Sequence, residues 1–183
     1  MVADESLTES RNVIRRLVSG WAGTPAFLCD RHFTVIVAND LAHALSPAFR
    51  EGMNLARFTF MEPNVDRRDP AYDRVSQQVV ALLRESLDEH QGDDVFRSIV
   101  GDLSVDSDEF ATAWADDTLK ATSRGVAEFV DTRAGSLRLQ YELLRMPGNG
   151  EDTLFVWGPA DVESTRSVRN LVDSSTRSHV ISS

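Results

Sequence analysis

Apolar residues recur at two different spacings along the chain, and these spacings divide it into helical and extended parts. Near the N-terminus, Ser6 and Glu9 have capping-box spacing, and the apolar residues after them predict an amphipathic helix that ends near Gly20. Those residues are Val13, Ile14, Leu17, Val18 and Trp21. Two apolar runs, 26–29 and 33–37, then predict strands joined by a tight turn. Because the second run is apolar on both faces, we expect a central strand.

The middle of the chain has helical spacing in five segments, each bounded by capping or helix-breaking residues. They are residues 41–45 after a cap at Asn39 or Asp40, a short helix or turn at 54–63, and residues 70–90, 95–103 and 107–114. In the second segment, Phe58 and Met61 are expected to point inward. In the last, Ser107 is a good cap, and Phe110 and Trp114 lie four residues apart, so both rings should face the core.

After residue 123 the apolar spacing changes to two, which is typical of strands. The clearest alternation runs through Leu137, Leu139, Tyr141 and Leu143. Flanking strands at 124–130 and 153–157 complete a meander, and weak helical spacing after residue 160 predicts a marginal helix and a loose tail. The predicted fold is α+β, with a five-stranded antiparallel sheet and several helices inserted between strands 2 and 3. Helices on one face would leave room for a small-molecule pocket.

Length and charge narrow the functional classes. The chain has 183 residues, which suits one domain with extensions, and its formal net charge of -10 disfavours direct nucleic-acid binding because phosphate would be repelled. The single Cys29 rules out an intrachain disulfide and fits a reducing compartment. With neither a secretory segment nor an apolar run long enough for a bilayer, we expect a cytoplasmic protein without membrane contacts.

The residues that could bind a small molecule are mainly aromatic. Four of them could line an apolar pocket or equally form ordinary core: Phe58, Phe60, Phe110 and Trp114. The hydroxyl of Tyr141, on the apolar face of its strand, could orient the polar group of a ligand or bond to a backbone carbonyl or water. His43 could act as an acid-base group or ligand contact, or could be merely solvated.

Nothing in the sequence indicates a metal or a cofactor. One cysteine and four scattered histidines provide no metal-ligand spacing, and the glycines at 148 and 150 belong to a predicted hairpin turn rather than a phosphate loop. No Gly-x-Ser-x-Gly elbow is present, although a Ser-His-Asp arrangement can also converge only in space. We therefore predict neither a metal nor a cofactor.

Six segments recur in the order found in one known family. They are residues 25–31, 35–39, 54–63, 107–114, 135–147 and 155–160. Through them, residues 23–160 resemble the MmyB-like (MltR-type) ligand-binding domain of actinobacterial transcription regulators, which has a PAS-like fold. The resemblance covers about three quarters of the chain, and six segments in register are more specific than any one of them.

The resemblance implies a sensor that binds a small hydrophobic, often fatty-acid-like ligand. It divides the chain into an N-terminal helix and linker (1–22), the PAS-like domain (23–160) and a partly disordered C-terminal extension (161–183). The implied pocket residues are Val35, Val37, His43, Phe58, Phe60, Phe110, Trp114 and Tyr141. Ligand binding would shift the arrangement of a homodimer formed through the N-terminal helix or the sheet. This shift would in turn change the DNA-binding state of an attached or partner domain.

The chain departs from the family pattern in two places. Only about twenty residues precede the domain, so the usual helix-turn-helix part is missing, either because the chain is excised from a regulator or because it is a stand-alone protein. Where relatives commonly have His-Asp-Val and His-Pro, residues 117–119 are Asp-Thr-Leu and residues 131–132 are Asp-Thr. If those histidines face the ligand in relatives, the polar end of this pocket is different.

These departures motivate two other hypotheses. The first is a stand-alone PAS-like enzyme of a biosynthetic pathway, in which His43, Tyr141 and Asp117 would be the first candidates for proton transfer. The second is a scaffold that only dimerises, which a closed core without a pocket would favour.

Overall fold

A computed structural model describes residues 2–146 and 152–180 of the chain. The helices are α1 (Val2–Ser19), α2 (Asp40–Leu45), α3 (Leu55–Met61), α4 (Tyr72–Glu89), α5 (Asp94–Asp106), α6 (Asp108–Trp114) and α7 (Val162–Val180), with a short 3-10 helix at Pro47–Phe49. The strands are β1 (Ala26–Cys29), β2 (Val35–Ala38), β3 (Arg124–Thr132), β4 (Gly135–Arg145) and β5 (Thr153–Pro159). The predicted turn at 147–150 lies outside the described residues.

The five strands form one antiparallel sheet in the order β2-β1-β5-β4-β3. The predicted α+β architecture, with a terminal meander and helices between the second and third strands, is confirmed. The predicted central position of β2 is wrong, because β2 lies at an edge. The outer edge of the strand is partly satisfied by a neighbouring loop, since the Val35 amide donates to the Met53 carbonyl (2.9 Å) and the Gly52 amide donates to the Val35 carbonyl (2.8 Å). An edge strand with a covered edge can be apolar on both faces.

Two apolar cores lie on opposite faces of the sheet. The front core is formed with residues of α2 to α7, and the smaller back core holds Val18 of α1 against Leu28 and Leu154. An irregularity in the β1–β2 register pairs Val37 with Leu28 but Val35 with Cys29. Regular alternation would place residues two apart on the same face, whereas this bulge sends Val35 to the front core and Val37 to the back core.

Helix α1 begins earlier than the sequence predicted. It starts at Val2, so Ser6 and Glu9 lie within the helix and do not cap it. Its inner side is held by a two-point ion pair, in which Arg11 donates from Nε and Nη2 to the Asp152 carboxylate at 2.8 and 2.7 Å. Because Asp152 is buried where β5 begins, this pair fixes the helix to the sheet.

The front helices follow the predicted pattern with two differences. Ser107 caps α6 as expected, since its Oγ accepts a hydrogen bond from the Phe110 amide at 3.2 Å. On α3, however, Met61 is exposed rather than inward, and Phe58 is only half-buried. Helix α7 contacts β4 and buries Leu171, although its sequence predicted only a marginal helix. None of the described helices is both long and apolar enough to cross a membrane.

Candidate ligand-binding cavity

A cavity of about 230 Å³ lies between the front of the sheet and helices α3 and α4. The sheet contributes aromatic rings, among them Phe129 of β3, Tyr141 of β4 and Trp157 of β5. The helices contribute short side chains such as Thr59 and Val79 together with larger ones such as Phe58 and Leu82. This is the place between sheet and helices where the sequence predicted a pocket.

Strand register explains why the aromatic rings of the sheet meet. Tyr141 and Trp157 are directly paired partners on β4 and β5, so their side chains stand on the same face. Their ring centroids are 5.1 Å apart, and Phe129 packs edge-on against Trp157 at the same distance. Phe49, from the 3-10 helix, approaches Trp157 at 5.9 Å. Together these rings form a continuous apolar wall.

Tyr141 owes its position to a glycine on the neighbouring strand. A Cβ atom at Gly125 would lie 2.6 Å from the Tyr141 hydroxyl and 2.8 Å from two ring carbons, so only glycine leaves room for the ring to cross β3. The hydroxyl lies 3.3 Å from Thr122 Oγ1. The Gln78 side-chain amide donates to the Thr122 carbonyl (2.7 Å), and this contact closes the cavity wall between α4 and the segment before β3.

Trp157 lines the cavity and carries an unsatisfied hydrogen-bond donor. Its side chain is 6% exposed, and its Nε1 is buried with no hydrogen-bond partner among the described residues. An indole N–H can only donate, and leaving a buried donor unsatisfied costs about 1–3 kcal/mol. An oxygen or nitrogen acceptor within hydrogen-bond distance of this N–H would remove the cost.

Two further polar groups border the cavity. The Tyr72 hydroxyl donates to the Thr59 carbonyl at 3.4 Å, and burial raises the pKa of this phenol despite the nearby Arg67, so it remains a neutral donor. The exposed Arg74 has no ion pair with the described chain, and its guanidinium donates only to the Val126 carbonyl at 3.4 Å. A polar rim around an apolar interior is the usual arrangement of a small-molecule site.

The structure brings two of the eight predicted pocket residues to this cavity, Phe58 and Tyr141. Val35 lies in the front core away from the cavity lining, and Val37 belongs to the back core, so these two valines do not form one wall. His43 is exposed on α2 and lines no part of the cavity.

The remaining three residues form a separate aromatic cluster. Phe60 meets Phe110 edge-on at 5.1 Å, and Phe110 stacks on Trp114 at 5.5 Å. None of the three lines the cavity. Of the two interpretations open for these aromatics, the geometry favours ordinary core for Phe60, Phe110 and Trp114.

The three suspected proton-transfer residues do not share the cavity. Tyr141 lines it, whereas His43 and Asp117 are both exposed and absent from its lining. The thiol of Cys29 is fully buried, and burial raises its pKa well above 9.0, so it is not a thiolate nucleophile. The described residues include no cluster of three or more side chains able to hold a metal ion.

Sequence reasoning missed the principal cavity residues, above all Trp157, Phe49 and Phe129. For Trp157 a signal was present, because it alternates with Phe155 in the predicted strand 153–157 and so shares its face. Phe49 lies in a short 3-10 turn without periodicity, and no sequence pattern could have placed it there.

A second, more polar groove of about 420 Å³ adjoins the cavity and shares Phe33 and Leu82 with it. On its wall, Arg145 forms ion pairs with Glu85 (2.9 Å) and Glu89 (2.6 Å). Because the charge of Arg145 is already paired, this groove has less unsatisfied hydrogen-bonding capacity for a ligand than the apolar cavity has.

The sequence model of the MmyB-like transcription regulator ligand-binding domain matches residues 10–171. The chain belongs to this family. The match includes the second half of α1 and ends within α7, and therefore contains every residue that lines the cavity. No curated protein sequence matches this MmyB-like domain.

Two solved structures similar to the MmyB-like domain are PAS domains. One is the PAS domain of BvgS from Bordetella pertussis, at 12% identity and a TM-score of 0.38, covering 91% of this chain and 98% of that one. The other is the PAS domain of an HTR-like protein from Haloarcula marismortui, at 14% identity and a TM-score of 0.37, covering 85% and 96% of the two chains.

Proposed function

We propose that this MmyB-like domain senses a compact, mostly apolar molecule that carries one hydrogen-bond acceptor. Its family is a ligand-binding domain of transcription regulators. The observation that carries the proposal is the unpartnered, buried Nε1 of Trp157, a residue whose side chain lines the apolar cavity. The acceptor on the ligand would take the hydrogen bond that the protein leaves unmade.

The size of the cavity limits the ligand class. At about 230 Å³, the cavity is smaller than the roughly 300–1,000 Å³ of typical drug-sized pockets. Of the fatty-acid-like ligands that the family resemblance implies, the proposal therefore includes only short ones, alongside compact ketones, esters or lactones. Apolar burial provides the affinity, at about 25 cal/mol per Å², and the indole N–H selects for the acceptor.

The regulatory step follows from population shift. A ligand that binds one arrangement of a homodimer more tightly than the other would shift the population towards that arrangement. The difference between the two affinities sets the size of the shift, and the shift would change the DNA-binding state of an attached or partner domain. The domain itself is acidic, with a net charge of -10, so we assign the DNA contact to that other domain and none to this chain.

The test uses two probes of the same shape, acetophenone and α-methylstyrene, which differ only in a C=O or C=CH₂ group. We expect acetophenone to bind about 2–13-fold more tightly, because a net hydrogen bond is worth about 0.5–1.5 kcal/mol. The chain has three tryptophans, so an ¹⁵N-labelled sample should show three indole N–H resonances. Acetophenone should shift that of Trp157 and leave those of Trp21 and Trp114 in place.

Two variants complete the test. Trp157→Phe removes the donor, so the preference for acetophenone over α-methylstyrene should disappear. Val79→Phe fills the cavity and should abolish binding of both probes, whereas Val95→Phe on the exposed side of α5 is its control and should change neither. Equal affinity of the two probes for the unmodified protein, or a Trp157 resonance that never moves, would contradict the proposal.

The geometry of the cavity does not support the alternative of a stand-alone enzyme. The three residues suspected of proton transfer are not gathered at one cavity, and Tyr141 alone borders it. Its hydroxyl is near Thr122, and its ring packs against Trp157. No described contact of the cavity therefore favours a reaction over simple binding.

A further inference from the structure

Phe33 is a buried aromatic residue in a backbone conformation that favours glycine. Its φ is 61°, and no other residue except glycine has a positive φ in the part of the chain that the structure describes. In this left-handed conformation Cβ lies too close to the following carbonyl oxygen, so a bulky side chain strains the backbone. Such strain persists only where the surrounding structure holds it, and it is most common at ligand sites.

Hydrogen bonds hold the backbone of Phe33 from both sides. Its amide donates to the Asp30 carbonyl at 3.0 Å, and its carbonyl accepts from the Leu55 amide at 2.9 Å. The side chain of Asp30 supports the same turn, because its Oδ1 accepts from the amides of His32 and Thr34, both at 2.9 Å. The turn between β1 and β2 therefore fixes where the side chain of Phe33 begins.

Phe33 lies between the apolar cavity and the polar groove. The two spaces share only two lining residues, Phe33 and Leu82 of α4. Phe33 is 6% exposed, so its ring fills space inside the domain. The groove, at about 420 Å³, is larger than the cavity, at about 230 Å³, so joining the two would enlarge the site considerably.

Polar contacts cross the boundary between the two spaces at another place. Thr122 lines the groove, whereas Gln78 and Tyr141 line the cavity. The Gln78 side chain accepts from the Thr122 amide at 3.1 Å and donates to the Thr122 carbonyl at 2.7 Å. A hydrocarbon chain cannot replace these hydrogen bonds. The apolar pair Phe33 and Leu82 is therefore where the loss of a side chain would open the boundary.

We propose that Phe33 is a specificity-determining residue, which closes the cavity towards the groove and so restricts the ligand to compact molecules. Glycine would suit the backbone better at this position, but it would leave only Leu82 between the two spaces. The strained phenylalanine gives the cavity a closed end. This role rests on the proposed function, because it concerns the ligand of the same cavity.

The length of the ligand provides the experiment. Acetophenone and hexanophenone are both phenyl ketones, and hexanophenone has the longer alkyl chain. The unmodified protein should bind hexanophenone no more tightly than acetophenone, because Phe33 blocks the longer chain. Phe33→Gly should raise the affinity for hexanophenone relative to acetophenone at least about tenfold, since each buried methylene group adds about fourfold. Isothermal titration calorimetry measures both affinities, and the Trp157 indole resonance reports occupation of the cavity.

Two further variants make the result independent of a single substitution. Leu82→Ala opens the same boundary from α4 and should change the ratio of affinities in the same direction. Phe33→Ala removes the ring but keeps the strain, so its folding equilibrium constant in urea denaturation should be about 2–5-fold below that of Phe33→Gly. The control is Phe110→Ala, which removes a buried ring that lines neither space and should leave the ratio unchanged.

Three results would overturn the role of Phe33. They are an unmodified protein that prefers hexanophenone as strongly as Phe33→Gly does, a ratio that neither Phe33→Gly nor Leu82→Ala changes, and equal stability of Phe33→Ala and Phe33→Gly. Acetophenone separates this role from the proposed function. If acetophenone binds and shifts the Trp157 resonance while the ratio stays constant, only the role of Phe33 fails. If acetophenone does not bind the unmodified protein, the proposed function fails and this role fails with it.

Discussion

Two aromatic clusters share the front core of this domain, and only one of them encloses space. The closed cluster joins Phe60 of α3 with Phe110 and Trp114 of α6, and Phe110 is fully buried within it. The open cluster is the wall of Phe129, Tyr141 and Trp157, which faces a cavity of about 230 Å³. Similar residues therefore serve packing in one place and form a candidate site in the other.

The difference depends on what lies opposite the rings. In the closed cluster one large ring fills the space beside another. Across the open cluster, α3 and α4 contribute short side chains such as Thr59 and Val79 between larger ones such as Phe58 and Leu82. A core closes where large residues meet large ones, and it leaves a cavity where a wall of rings meets short side chains.

The largest expected effect distinguishes the two clusters by how much each contributes to the stability of the fold. Phe110→Ala should lower the free energy of unfolding by about 3–5 kcal/mol, because it removes a fully buried ring and leaves a cavity. Urea denaturation measures the loss, and the affinity of the remaining folded protein for acetophenone should be unchanged. Phe129→Ala is the matched variant, and it should cost only about 1–2 kcal/mol because that ring already borders a cavity. It should weaken acetophenone binding, and the opposite ranking would contradict the distinction.

The next effect concerns the glycine beneath Tyr141. Gly125→Ala should destabilise the protein by about 1–3 kcal/mol, because the new Cβ would lie 2.6 Å from the Tyr141 hydroxyl and must displace the ring. Thermal unfolding measures it, and adding Tyr141→Ala should recover part of the loss. Gly158→Ala on β5 is the control, since its nearest neighbour would lie at 3.9 Å, an ordinary contact. Equal losses of stability at the two glycines would contradict the close approach of Tyr141 to Gly125.

A smaller effect concerns Arg84, which borders the closed cluster at the end of α6. Arg84 lies over the Trp114 ring at 5.1 Å and donates to the Asp116 carbonyl at 2.9 Å, so it supports both the ring and the end of α6. Arg84→Met keeps most of the chain length, and we expect it to lower the free energy of unfolding by about 1 kcal/mol. Arg97→Met, at an exposed ion pair on α5, should change it by less than half as much. Neither variant should affect acetophenone affinity.

The smallest effect is an acid sensitivity at the start of α6, next to the closed cluster. The pKa of Glu109 is lowered from its ordinary 4.5 by its own backbone amide and by the Ser107 hydroxyl, which donates to its carboxylate at 3.1 Å. Because the folded pKa is the lower one, this stabilisation is complete above about pH 4.5 and is lost as the pH falls through the folded pKa. Glu109→Gln should therefore be less stable than the unmodified protein at pH 6, and the gap should narrow as the pH falls from 6 to 3. A constant gap in urea denaturation across that range would contradict the assignment.

Much of the fold was predictable because local patterns determine individual elements. Alternation through Leu137 and Leu139 predicted β4, and the Ser107 cap correctly marked the start of α6. The edge position of β2 was not predictable from its own residues, because its apolar back face is covered by α1, a partner distant in sequence. The bulge that separates Val35 from Val37 likewise arises from pairing with β1.

Of the residues predicted to line a pocket, only Phe58 and Tyr141 lie at the cavity. Aromatic spacing within a helix, as in Phe110 and Trp114, reveals that two rings share a face but not whether anything fills the space in front of them. For His43 the sequence left a ligand contact and a solvated side chain both open, and the structure shows it exposed on α2.

The sequence by itself determined the class of the protein: its α+β order, its acidic surface and its membership of the MmyB-like family follow from residue types and their spacing. Only the tertiary structure decided where the cavity lies and which residues line it. A cavity is a space between elements, and its size depends on side chains that meet from distant parts of the chain. The unpartnered N–H of Trp157 is such a property, since no local pattern shows that a buried donor lacks an acceptor.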